Sequence, residues 1–183
     1  SPAWNYLAGR GVTPYTALVY GLGYGIPAPR VHREIIDAAR QSMMVRRDGI
    51  WLWAGGVVYA DPPTHPAVMN VRYIPEEQLP KGTRNFTPLK NHKTWGNRVQ
   101  PLGSWRITPA TRTLIVLEGL FDMLITAQKI HQLGREADTV AIYTNGAQGH
   151  DYENGLVIRQ NVARNKRVAA GGNIWYTDGG SRY

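Results

Sequence analysis

The sequence predicts an α/β fold with an α+β amino-terminal part, and three observations carry that expectation. Residues 113–117 are a short apolar run containing β-branched Ile115 and Val116. Apolar positions at helical spacing follow it: Leu120, Met123, Leu124, Ala127, Ile130 and Leu133. Residues 113–178 as a whole alternate strand, helix, strand, helix and strand, the pattern of a parallel sheet flanked by helices. Residues 50–74 instead hold short apolar runs divided by Asp61-Pro62-Pro63-Thr64 and similar breakers, as a small antiparallel sheet does.

Taken in order, helices are expected at 6–9, at 14–20 behind a Thr13 cap, and at 31–44 with Ile35, Ile36, Ala38, Ala39 and Met43 as apolar positions. Gly21, Gly23, Gly25, Pro27 and Pro29 separate the last two. Strands are expected at 50–53, 56–59 and 67–74. Across 75–109 the periodicity fades while Pro, Gly, Asn and basic residues accumulate, which predicts a long surface segment carrying contacts rather than core. A strand at 113–117, a helix from near Gly119, a strand from Val140, a helix over 154–163 and a third parallel strand over 173–178 complete the chain. This divides it into an amino-terminal subdomain, 1–110, and a second domain, 111–183.

With 183 residues and 43% hydrophobic content the chain can bury a core, as one domain or two small subdomains. Cysteine is absent, which excludes disulfides and thiolate zinc sites. His32, His65, His92, His131 and His150 are scattered without metal-ligand spacing, so no histidine metal site is expected. The formal charge of +8, from 21 Lys and Arg against 13 Asp and Glu, favours a polyanionic partner, nucleic acid first. A merely soluble basic protein, or one neutralised by an acidic partner chain, gives the same charge. No apolar run approaches a membrane span and the amino terminus lacks a basic-then-apolar signal, so the expected location is intracellular.

Glu118 ends the 113–117 strand at the edge where open α/β sheets take ligands, and Gly119 removes a side chain that would block approach. A glutamate there can hold a divalent cation or handle a proton; its plainer role is a solvated strand end. Asp122, in the first helical turn, serves either a metal or the helix macrodipole. Asp178 precedes Gly179 and Gly180, so it is either a ligand on an adjacent strand end or half of a tight-turn pair. One hard cation needs only one or two carboxylates plus substrate phosphates, which Glu118 and Asp178 would supply. Arg84, Lys90, Lys93 and Arg98 interleave with Phe86, His92 and Trp95, pairing cations for phosphates with rings for bases, as single-stranded nucleic acid binding requires. A solvated loop is the alternative. The six tryptophans are otherwise expected in core or interface.

The Glu118-Gly119-x-x-Asp122 arrangement after an apolar strand resembles the Toprim signature of bacterial-type DNA primases and of the primase half of phage primase-helicases. Other segments follow that family's order. Tyr6-Leu7-Ala8-Gly9-Arg10-Gly11, followed by Tyr20 to Tyr24, is similar to its opening, and residues 83–96 to the basic and aromatic stretch before the Toprim strand. Residues 140–146 and 173–180 resemble its second and third strands with their turns. The resemblance spans nearly the whole chain. It departs at Gly180, where the family's Asp-x-Asp has its second acid, and at Tyr183, where a complete Toprim fold continues, so the chain reads as a truncated, split or degenerate core. Without cysteine, the family's preceding zinc module is not expected here.

The resemblance implies a primase core that synthesises RNA primers on single-stranded DNA by metal-assisted nucleotidyl transfer. Glu118 would be catalytic, with Mg2+ or Mn2+, and no zinc, held by Glu118, Asp178 and Asp122. Arg10, Arg84, Lys90, Lys93, Trp95 and Arg98 would bind nucleic acid, Arg10 through nucleotide or phosphate. The implied partners are single-stranded DNA, ribonucleotides and a helicase or other replication protein, with no membrane, in the cytoplasm of a bacterial, phage or plasmid system. Two alternatives stand beside this: a non-catalytic Toprim-like nucleic-acid-binding module, and a subunit of a larger replication assembly whose partner completes the sheet.

Overall fold

Two hydroxyl caps start the fold. Ser1 Oγ accepts from Trp4 N at 3.3 Å, and Thr13 Oγ1 accepts from Thr16 N at 3.3 Å. Proline follows each cap, where its missing N–H costs nothing, and so begins α1 (Pro2–Gly9) and α2 (Pro14–Val19). The structure, a computed structural model, describes residues 1–26, 32–41, 45–61, 63–64, 68–84, 91–96, 102–117, 119–143, 167–170, 177–178 and 181–182. These fall into two units, Ser1–Asn97 and Arg98–Tyr183.

The first unit carries an antiparallel sheet in the order β1 (Gly23–Tyr24), β2 (Gly56–Asp61), β3 (Val68–Tyr73) and β4 (Asn91–Gly96). The β2–β3 pairing aligns Val57 with Arg72 and Tyr59 with Asn70, so these four buried residues share one face. β2 and β3 lie where the alternating apolar pattern puts them, and α3 (Arg33–Gln41) lies inside the helix expected at 31–44.

Three expectations are corrected in this unit. Residues 50–53 are a turn with a single bridge between Trp51 and Val45, because Asp48 Oδ1 accepts from Ile50 N and reverses the chain. Their apolar character fills a cluster instead: Val45, Trp51 and Ala54 are buried, with Ile36, Ile50 and Trp53 against them and the Trp51 and Trp53 rings stacked 4.9 Å apart. The stretch 75–109 is not uniformly irregular, since it supplies β4 to the sheet and 3-10 turns at Glu76–Gln78 and Ser104–Arg106. The glycine-rich stretch read as a spacer contributes the two-residue edge strand β1.

Tyr73 ties this unit together. Its hydroxyl donates to the Leu52 carbonyl at 2.6 Å, and burial pushes the phenol up to about 12. An unfolded tyrosine ionises near 10 or so, so the stabilising neutral phenol is fully present below that pH and its contribution is lost as pH rises towards 12. Tyr24, raised in the same direction by burial, adds to the slope. Tyr73→Phe should therefore cost about 1 kcal/mol at neutral pH and flatten the alkaline fall in stability. Urea titrations at several pH values check this, and an unchanged alkaline slope in the variant would refute it.

In the second unit β5 (Thr113–Leu117) is central, flanked by β6 (Thr139–Tyr143) and β7 (Arg167–Ala170) in a parallel sheet of order β6-β5-β7. Leu114, Val116, Val140 and Ile142 form its buried cluster, joined by Ile107. Helix α4 (Leu120–Gln132) lies against β6 and β5 and buries Leu120, Met123, Leu124 and Ile130. Leu133 is past the helix end and 65% exposed, so the apolar stripe stops at Ile130. Among the described residues the third parallel strand is β7, where 173–178 was expected to supply it. Thr177–Asp178 (β8) pairs antiparallel with Ser181–Arg182 (β9) in a separate two-stranded ribbon. The helix expected over 154–163 lies outside the described residues. No helix among them is long and apolar enough to cross a membrane.

Candidate functional site

The turn between β5 and α4 stands at a reversal of strand order. From β5 the chain passes through α4 to β6 on one side, then returns to β7 on the other. Open α/β sheets hold ligands outside the strand ends at such a reversal. Leu117 ends the strand and Gly119, at φ −101° and ψ 141°, caps the helix without any side-chain hydrogen bond to the first turn. The helix therefore leaves its first N–H groups and the positive end of its dipole at the strand edge. Glu118, between Leu117 and Gly119 in the sequence, lies outside the described residues.

Asp122 is exposed in the first turn of α4, and its carboxylate folds back over Gly119. A Cβ on Gly119 would overlap Asp122 Oδ2 and stand 3.2 Å from Cγ. A carboxylate is thus turned toward the strand end, where the glycine makes room for it. Among the described residues no three His, Cys, Asp or Glu side chains gather as a metal-binding group.

Asp178 is not at the end of a strand of the parallel sheet, because that position belongs to β7. It stands opposite Ser181 in the β8–β9 pairing. The expectation that Glu118 and Asp178 end neighbouring strands of one sheet is corrected accordingly. Gly171 and Gly172 follow β7 in the sequence, with no acid in the residues next to it.

The basic segment divides between described and undescribed residues. Arg84 is exposed, whereas Lys90 and Arg98 lie outside the description. Lys93 and Trp95 are both on β4, but a bulge separates them: Lys93 stands opposite Asn70 and Trp95 opposite Met69, with Thr94 left out of the register. One extra residue reverses the alternation.

Arg10 ends α1 with its guanidinium 5.4 Å from the centre of the Tyr6 ring. The Tyr6 hydroxyl, at the ring's far end, accepts from Arg72 Nε at 3.5 Å. Arg72 is 7% exposed on β3, and its register partner on β4 is Asn91. Two guanidinium groups, one exposed and one buried, thus meet one tyrosine, an arrangement able to hold a phosphate or carboxylate at its exposed side. Arg72 is a candidate that sequence reasoning misses. Its signal is a lone cation inside the alternating run of 67–74, which a sheet buries only with partners.

No known family model matches the chain, and no curated protein matches it. Among solved structures, the DnaG catalytic core has a similar fold, with a TM-score of 0.61 at 17% sequence identity. The similarity covers 93% of this chain and 54% of that one, so the chain spans about half the length of the solved chain it matches. What this likeness shows is a fold similar to that of the DnaG catalytic core.

Proposed function

We propose that the chain is a primase-type catalytic core with a Toprim-like second unit, a nucleotidyltransferase that joins ribonucleotides on a single-stranded DNA template. The observation that carries this reading is the β5–α4 turn. In a fold like that of the DnaG catalytic core, the sequence Glu118-Gly119-x-x-Asp122 spans the turn where strand order reverses. In this reading Glu118 is the catalytic carboxylate. The inward fold of the Asp122 carboxylate fits a divalent cation at the same turn, and Glu118 with Asp122 would hold Mg2+ or Mn2+. Such an ion, when bound, neutralises charge on the triphosphate. The chain's own cations do the rest: Arg10 takes nucleotide or phosphate, while Arg84, Lys90, Lys93 and Arg98 track the template backbone and Trp95 stacks on a base. A cytoplasmic replication system with a helicase or similar partner is the setting such an activity requires.

One observation favours a second reading. The β8–β9 ribbon takes Asp178 out of the parallel sheet, and a module without that acid at the sheet edge would bind nucleic acid without catalysis. Incubating the chain with single-stranded template, ribonucleotides and Mg2+ or Mn2+ decides between them. Primer synthesis supports the enzyme, and template binding without synthesis supports the module.

Both readings need the basic segment. Neutralising Lys90 and Lys93 to Gln should weaken binding to a dT oligonucleotide and lower the slope of log K against log salt by about 0.7 for each phosphate that is no longer neutralised. An unchanged affinity and slope would move the binding site elsewhere.

A further inference from the structure

Residues 102–107 form a strap along the outer edge of β6, held at both ends. At one end Leu102 and Tyr143 exchange both backbone hydrogen bonds at 3.0 Å, and Tyr143 is in register with Leu117. The strap therefore begins at the carboxyl edge of the sheet, two strand spacings or about 10 Å from the residue preceding Glu118. At the other end Arg106 Nη2 donates to Glu136 Oε1 at 3.3 Å, and Glu136 Oε2 pairs with His131 Nδ1 of the last turn of α4 at 2.6 Å. Ile107 then enters the core beside Leu114, Val116, Val140 and Ile142.

Between these anchors stands Trp105, 37% exposed, with the Arg106 guanidinium 5.6 Å from its ring centre. Tryptophan offers a large flat apolar face with a polar N–H at its edge. The guanidinium beside it is fixed by a carboxylate that the His131 hydrogen bond keeps below the usual carboxylate range, so Glu136 is ionised at neutral pH. The indole thus has alongside it a cation that Glu136 holds in place. Base stacking on single strands uses exposed aromatic rings with cations beside them.

We propose that Trp105 is a stacking platform for an unpaired base of a single-stranded nucleic acid, presented by the strap at the edge of β6. The proposal rests on the nucleic-acid reading of the chain and adds a binding residue beyond the 84–98 segment. Its signature differs from that of the lysines: stacking contributes affinity without releasing counterions.

The test measures binding of a fluorescently labelled dT oligonucleotide to the full chain by anisotropy at several salt concentrations, with thermal melts of every variant. Trp105→Ala should weaken binding about 5- to 150-fold with an unchanged salt slope, while Trp105→Phe should retain most of the affinity. In parallel, an oligonucleotide carrying 5-iodouracil is photo-crosslinked to the unsubstituted chain and the adduct mapped by mass spectrometry, with Trp105 the expected site. This arm decides the matter should Trp105→Ala fail to fold. If the unsubstituted chain binds and Trp105→Ala binds equally well, or if crosslinks form only at other residues, the platform is overturned while the nucleic-acid reading stands. If the unsubstituted chain does not bind the oligonucleotide, that reading falls and the platform falls with it.

Discussion

Glu118→Gln should abolish primer synthesis while leaving the fold intact. The substitution keeps the size and hydrogen-bonding reach of the side chain and removes only its charge, at a turn where charge would hold a hard cation and its triphosphate. Removing one such electrostatic interaction costs about 100-fold or more in turnover. Asp122→Asn is the informative comparison. It removes a first-turn acid whose interaction with the helix dipole contributes about 0.3–1 kcal/mol, so α4 should lose a little stability. If Asp122 also shares the ion, synthesis falls in parallel with metal affinity; if its role is only helical, synthesis follows the melting temperature. Ribonucleotide incorporation on a single-stranded template, measured alongside thermal melts and metal titration, separates these results. Synthesis that survives Glu118→Gln would sink the primase mechanism.

The sequence makes legible whatever depends on neighbours along the chain. Thr113–Leu117 and Leu120–Gln132 are readable because their apolar periods are long and change at one glycine, and the Glu118-Gly119-x-x-Asp122 motif is readable because it is contiguous. β4 is hidden because Asn91, Lys93 and Trp95 have no apolar alternation; a polar edge strand is held by backbone pairing to β3, a partner about twenty residues away. β7 is hidden because Arg167-Val168-Ala169-Ala170 is short and half alanine, a poor strand former, whereas 173–178 has the tryptophan, tyrosine and isoleucine that favour strands. That single substitution of one segment for another moved Asp178 onto a sheet edge it does not occupy. The meeting of Arg10, Tyr6 and Arg72 is invisible for a different reason. Tyr6 and Arg72 are 66 residues apart in the sequence, and only the tertiary fold of the first unit brings them together. The Trp105 strap is likewise a tertiary product, made by a bridge from Leu102 to Tyr143.

Gly25→Ala should cost about 3 kcal/mol or more, the largest stability loss expected from any one added methyl group in the first unit. Gly25 follows β1 and exchanges backbone hydrogen bonds with the segment entering β2, its N–H donating to Gly56 O at 2.9 Å and its carbonyl accepting from Gly55 N at 3.0 Å. The backbones approach so closely that a Cβ on Gly25 would overlap the carbonyl of Trp53. A carbonyl locked in this turn cannot rotate away as a side chain can, so the added methyl group must push β1 off β2 or dislodge Trp53 from its stack on Trp51. Gly119→Ala offers the contrast. There the overlap is with the tip of Asp122, which can swing into solvent, and the extended backbone of Gly119 suits alanine, so the loss should stay within about 1 kcal/mol. Urea unfolding followed by tryptophan fluorescence, which reports on the Trp51–Trp53 pair, measures both variants. Equal and small losses in the two would mean that the Gly25 contact relaxes freely and that the close β1–β2 approach is not what holds the first unit's sheet.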